Sequence, residues 1–227
     1  MRNIIILAIS FILTLGCSFK EPFGVGCFES FCAIYCDTLT ARNAKTTYMP
    51  SSKIFDYLES NATIASSDYI LTLFLHQTNY DIICPHDLNM VEQMKDYYSS
   101  NYNNHCNNTG STPVFIYYCI EEIENINITA SNRIFETAPG DSLNDKFEVY
   151  HADPPFFFDN SKHLVTKDTP WGSINDYLAL RPIASPVLYL RMLQTPPEAP
   201  CGITFNVEVK IKDKDPFFAA TKQIILE

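Results

Sequence analysis

The residues in this chain best suited to chemistry are its cysteines, and the chemistry they suit is cross-linking. Cys27, Cys32, Cys36, Cys84, Cys106, Cys119 and Cys201 lie beyond an N-terminal apolar segment, and the eighth, Cys17, sits at that segment's end. In an export route such thiols pair by default, whereas in a reducing cytosol the same residues would point to metal or catalysis. The spacing Cys27-x4-Cys32-x3-Cys36 offers sulfur ligands, but no histidine lies nearby, so disulfides are the expected use; eight with Cys17 retained would pair fully, whereas seven leave one thiol free or shared between chains. Their connectivity is not fixed by sequence.

Catalytic arrangements are not evident. The five histidines, His76, His86, His105, His151 and His163, never recur at i, i+4, and Gly-x-Ser-x-Gly, His-Glu-x-x-His and Walker patterns are all missing. Cys84 and His86 would make a thiol–imidazole pair, yet near neighbours on one strand or turn rarely face each other and an exported cysteine is usually half of a disulfide. Three Asn-x-Ser/Thr triplets, at Asn61, Asn107 and Asn127, are expected glycosylation sites in an exported chain.

Export itself is read from the first 18 residues. Arg2 supplies the positive n-region, Ile4 to Leu15 the apolar run, and Gly16 and Ser18 the small residues at which cleavage is expected, after either one. The run is short for a membrane span. A lipoprotein reading of Leu15-Gly16-Cys17 is the lesser alternative, because Thr14 stands where that motif carries leucine. Beyond it no apolar run is long enough to cross a bilayer, since Arg191 interrupts Val187 to Leu193, and Gln223 to Glu227 lacks the greasy tail of a lipid-anchor signal. Lys and Arg total 16 against 26 Asp and Glu, a formal net charge of −10, which disfavours nucleic acid and anionic lipid as partners.

Elements that position these residues can be read from periodicity. Phe28, Phe31, Cys32, Tyr35, Cys36 and Leu39 recur three and four apart, predicting a helix from Phe28 to Arg42 with Cys32 and Cys36 on one face. Ser51-Ser52 before Ile54, Phe55 and Leu58 predicts a short capped helix. Tyr69 to His76 and Tyr80 to Cys84 predict a hairpin, Pro85 to Tyr98 a helix, and Val114 to Ile120 a buried strand. The acidic run Glu121 to Asn127 is taken as a domain boundary. Beyond it strands are expected at Phe147 to Tyr150, Phe156 to Phe158, His163 to Thr166, Val187 to Leu193, Ile203 to Ile211 and Phe218 to Leu226, with a helical turn at Trp171 to Tyr177. In the fifth of these, Ile203, Phe205, Val207, Val209 and Ile211 alternate with polar residues, the pattern of a strand covering a core.

Four motifs in the second half occur in a telling order: Phe135-Glu136-Thr137-Ala138-Pro139-Gly140, then Phe156-Phe157-Phe158-Asp159 with Leu164-Val165-Thr166, then Val187-Leu188-Tyr189-Leu190, then Val207 to Asp213 with Asp215-Pro216. Together they resemble a cadherin repeat over Ile134 to Phe218. The segment departs from that family after Gly140, where a strand and its Asp-x-Asp ligands are missing, and Trp171 to Asp176 stands where Leu-Asp-Arg-Glu is usual. The resemblance implies a β-sandwich, a role in adhesion or cell-surface recognition, and calcium held at Ile120 to Asn125 by Glu122, Glu124 and Glu136, since clustered carboxylates offset their repulsion around a cation.

The sequence therefore predicts an α+β protein: a signal peptide over residues 1–18, a Cys-rich helix/strand domain over 19–124, and an antiparallel β-sandwich over 125–227. The expected function is that of a secreted, disulfide-stabilised glycoprotein binding an extracellular or cell-surface protein, with no nucleic-acid partner and no membrane span in the mature chain. A secreted decoy with an unrelated sandwich is the alternative, and a secreted enzyme a lesser one. The triple Phe156-Phe157-Phe158, flanked by Pro154 and Pro155, reads either as a binding edge or as a cap on the sandwich core.

Overall fold

The computed structural model describes residues 29–49, 52–78, 87–102, 114–166 and 171–227. The signal segment, Cys27, Cys84, Cys106, Asn107, the Cys84–His86 pair and the expected strand at 80–84 lie outside them. Where a helix was expected from Phe28 to Arg42, the chain forms two strands, β1 (Glu29–Ile34) and β2 (Thr38–Met49). In β1, Phe31 and Ala33 enter one core cluster while Ile34 enters another. A strand buried on both sides loses its alternation, and its apolar residues can then mimic helical spacing. β2 does alternate, with Leu39, Ala41 and Asn43 buried and Arg42 exposed. Its threonines suit a pleated surface better than a helix.

The expected capped helix near Ser51 is also a strand, β3 (Ser52–Tyr57), paired antiparallel with β2 from Ala44↔Tyr57 to Met49↔Ser52. β4 (Thr63–Ile64) and the largely buried β5 (Tyr69–His76) follow. β5 is flanked by β2 and, later in the chain, by β11. Helix α1 (Leu88–Tyr102) and strand β6 (Val114–Cys119) stand near their expected places. The Asp87 carboxylate accepts from the Asn89 and Met90 amides at 3.0 and 3.2 Å, capping α1, and from Lys162 Nζ at 2.6 Å. The Lys162 ammonium and the capped amides hold its carboxyl below the ordinary carboxylate range. Replacing Asp87 by Ala should lower stability by about 1 kcal/mol. A depressed carboxylate pKa stabilises the fold above its unfolded value, so that difference should persist at neutral pH and vanish as pH falls through the lowered folded pKa. Paired unfolding curves at pH 7 and below pH 3 check it.

The second half contributes β7 (Ile123–Ala130), β8 (Phe147–Asp153), β9 (Phe156–Phe158), β10 (Leu164–Thr166), α2 (Ile174–Ala179), β11 (Val187–Met192), β12 (Cys201–Ile203), β13 (Phe205–Ile211), β14 (Phe217–Ala220) and β15 (Ile224–Leu226). Ser173 and Asp176 close a reciprocal capping box on α2. The sheets run β3-β2-β5-β11-β8, β14-β13-β7, β12-β15-β4, β1-β6 and β9-β10.

The fold class thus needs correction. The described chain is predominantly β-sheet, and it does not divide into a Cys-rich helix/strand domain and a separate sandwich. The five-stranded sheet joins β2, β3 and β5 to β8 and β11, and the last strand, β15, pairs with β4 near the start. The acidic run, expected as a domain boundary, instead leads into β7, which pairs with β13 from Ile123↔Ile211 to Ala130↔Phe205. Alternating strands from both halves are each apolar on one face only, and burying those faces against one another is what merges them.

The five-stranded sheet and the β14-β13-β7 sheet meet across the main core. Phe205 lies 5.5 Å from both Tyr69 and Phe147, ring centre to ring centre. Tyr69 donates its hydroxyl to Asn43 Oδ1 at 2.8 Å, and Asn43 Nδ2 donates to the Lys222 carbonyl at 2.6 Å, so the polar atoms of this interface are paired. A second cluster gathers Phe31, Met90, Met94, Ile116, Phe156 and Phe158 between β1, β6, α1 and β9. Phe157 points the other way, into the main core, with Trp171 and Tyr177 at 5.5 and 5.2 Å. The phenylalanine triple is therefore buried and joins two cores.

Candidate functional site

Of the three carboxylates that the resemblance implies as calcium ligands, Glu122 and Glu124 face cationic side chains, as does the neighbouring Glu121. Glu121 bonds Lys214 at 2.7 Å, Glu124 bonds Lys210 at 2.8 Å, and Glu122 accepts from Arg181 at 2.7 and 3.2 Å with Lys212 at 3.7 Å. Arg181 in particular keeps the Glu122 carboxyl below its usual range. Glu136 sits in a left-handed turn (φ 61) whose amides at Phe135 and Glu136 are both held by the Glu198 carboxylate at 2.8 Å. Among the described residues no group of three acidic, histidine or cysteine side chains is arranged to hold a metal. The trio Glu122, Glu124 and Glu136 does not fit a calcium ion.

No disulfide joins the described cysteines Cys32, Cys36, Cys119 and Cys201. Of these, Cys36 and Cys119 are brought together, Sγ to Sγ at 3.1 Å. Asn61 is exposed at a turn, and Asn127 faces away from the core on β7. Asn127 also lines a cleft of about 510 Å³ with Thr129, Asn206, Glu208 and Phe218, which a glycan there would cover.

The residues best placed for recognition were not singled out in the sequence. In β5, Tyr69, Leu71, Leu73 and Leu75 face the main core, so Ile70, Thr72, Phe74 and His76 lie on the opposite face of the sheet, where Ile70 and Thr72 are buried and Phe74 and His76 half-buried. Register brings Arg42 and Tyr189 beside Thr72, and Thr40 and Val187 beside Phe74. Tyr57 and Phe55 arrive from β3 and His151 from β8. The result is an aromatic second face on the five-stranded sheet, buried around Ala44, Ile70, Thr72 and Tyr189 and reaching solvent at Tyr57 and Arg42. Phe55 stacks on Tyr189 with centroids 3.9 Å apart, over a small cluster of Ala44 and Ile70. Arg191 lies 4.4 Å from the Tyr150 ring and is paired with Glu148.

Arg42 differs from Arg191. Its guanidinium sits 5.4 Å from the Tyr57 ring and 5.3 Å from the Phe74 ring, and among the described residues it has no carboxylate partner. It stands on a groove of about 350 Å³ at the meeting of this face with β1 and β6, walled by Ile34, Phe74, His76, Tyr117 and Val187. Tyr57 and Tyr117 are 46% and 41% exposed, enough to present ring surface to a partner. His76 Nε2 lies 3.3 Å from Thr40 Oγ1. Asp37, the nearest acid in sequence, spends its Oδ1 on Thr38 and Thr78 instead. A cation framed by aromatic rings, beside an imidazole and apolar walls, is suited to receiving a carboxylate attached to an apolar group.

Comparison with protein-family models, with curated proteins and with solved structures gave no match. Among the described residues no helix is long and apolar enough to cross a membrane.

Proposed function

We propose that this is an exported protein that binds another extracellular or cell-surface protein through the aromatic second face of its five-stranded sheet, with the Arg42 groove taking an acidic, partly apolar segment of that partner. The observation that carries this reading is the Arg42 guanidinium set between Tyr57 and Phe74, with no carboxylate partner among the described residues. Arginine and tyrosine dominate the energetics of protein interfaces because each offers a large, stiff contact area with a polar end. Export is supported by the signal-like N-terminus and by two sequons that face solvent. The net charge of −10 continues to argue against nucleic acid. Calcium-dependent adhesion, which the cadherin resemblance implies, draws less support, because two of the three carboxylates it would use, Glu122 and Glu124, are already paired with Arg181, Lys210 and Lys212 and the three are not gathered to hold a metal.

A photo-reactive benzoylphenylalanine placed at Tyr57 or Tyr117 of the secreted protein should give a discrete cross-linked product on cells of its source. The same group at Leu180 or Phe218, exposed elsewhere, should not. Arg42→Ala should abolish the Tyr57 product. Products of equal yield at all four positions, or at none, would contradict the reading.

A further inference from the structure

We infer that Cys36 and Cys119 are joined by a disulfide in the exported protein, a pairing that rests on the proposed export but not on the recognition face. The two sulfurs are 3.1 Å apart in the main core, where Cys36 is fully buried and Cys119 1% exposed. A disulfide spans about 2.05 Å, so closure needs a movement of roughly 1 Å. The strands themselves set this approach: β1 runs parallel to β6 with Ile34 opposite Cys119, and Cys36 follows two residues later.

A polar clamp then holds both segments. The Glu121 carboxylate, two residues beyond Cys119, accepts the Cys36 amide at 2.7 Å. Lys214 Nζ donates to the Cys36 carbonyl at 2.7 Å and to Glu121 at 2.8 Å. The clamp fixes Cys36 against the end of β6 through backbone atoms, which a thiol–thiol contact alone would not require. Two thiols packed in an apolar core satisfy each other only weakly as hydrogen-bonding groups, whereas the bonded form has no S–H to satisfy.

The reaction is thiol–disulfide exchange with an external disulfide, carried by an oxidoreductase or a small oxidised thiol. One chain thiolate attacks the external disulfide, forming a mixed disulfide and releasing the first external thiolate. The second chain thiolate attacks the chain sulfur of that mixed disulfide and expels the second. The two chain thiols lose two protons and two electrons in total, and the external disulfide is reduced to two thiols. Burial and the neighbouring Cys36 push the Cys119 thiol well up, so exchange belongs to the folding chain, before the core closes.

The test begins with protein recovered from the oxidising route, unfolded in guanidinium, blocked with N-ethylmaleimide without reductant, then digested and weighed. The expected result is a Cys36 peptide linked to a Cys119 peptide, two hydrogens lighter than their sum, with neither cysteine blocked. N-ethylmaleimide on both, or either one linked to another cysteine, overturns the pairing. Cys36→Ser and Cys119→Ser should each lower the melting temperature by roughly 5–15 °C, and the double variant no further than the single ones. Fully additive losses would also overturn it. If the variants are not secreted, the mass of the wild-type peptides decides alone.

Discussion

Phe205→Ala should unfold this protein more readily than any surface change, at a cost of about 3–5 kcal/mol. The side chain is completely buried, and its ring touches Tyr69 on β5 and Phe147 on β8, so it fills the space between the two main sheets. Removing it leaves a cavity bounded by rings that belong to strands from both halves of the chain. Close-packed sheets relax only partly into such a space, and the lost contacts are not regained. Because domains of this kind are stable by only about 5–15 kcal/mol, the variant should melt far lower or fail to be secreted. Phe218→Ala is the matched control: this phenylalanine is 71% exposed on β14, and its loss should change stability by no more than about 0.5 kcal/mol. Guanidinium unfolding of both variants checks the contrast. Equal effects would mean that β13 does not bridge the sheets.

The second large effect separates two neighbours. Val207 is 2% exposed on the core side of β13, opposite Ile128 and Ala219, whereas Glu208 alternates to the outer side. Val207→Lys forfeits roughly 1.5–3 kcal/mol of apolar burial and forces an ammonium into the core, where desolvation adds several kcal/mol more. Glu208→Lys keeps its head in water and should alter stability by only tenths of a kcal/mol. Melting temperatures of the two variants should therefore differ by well over 10 °C. Comparable losses would mean that the register of β13 is misassigned.

Much of the second half was legible because its strands are buried on one side. The alternation from Phe205 to Ile211 is seen in the structure as a buried, outward, buried pattern. The N-terminal portion was misread for a physical reason: β1 is apolar on both faces, and Phe31, Cys32, Tyr35 and Cys36 happen to fall at helical intervals. Polar alternation was present just beyond, in Thr38, Thr40 and Arg42, and would have signalled a strand. The acidic run was misread because its partners lie far away in sequence. Lys210, Lys212 and Lys214 alternate on the other side of the ladder from Glu124, Glu122 and Glu121, and only the pairing of β7 with β13 brings the two sets together. The recognition face was hidden for the same reason. Arg42, Tyr57, Phe74 and Tyr189 come from four strands, and only Tyr189 falls in a motif, one that implies a strand rather than a binding face.

The central claim is that Arg42 and its aromatic frame form the binding site, and the partner recovered by cross-linking at Tyr57 allows it to be measured directly. Purified partner should be titrated against wild-type protein, Arg42→Ala, Phe74→Ser and the distant control Phe218→Ser, each first shown to be folded. Loss of a buried cation at an interface centre typically weakens binding by about tenfold or more, so Arg42→Ala and Phe74→Ser should each fall at least that far while Phe218→Ser matches the wild type. Wild-type affinity in Arg42→Ala would contradict the account.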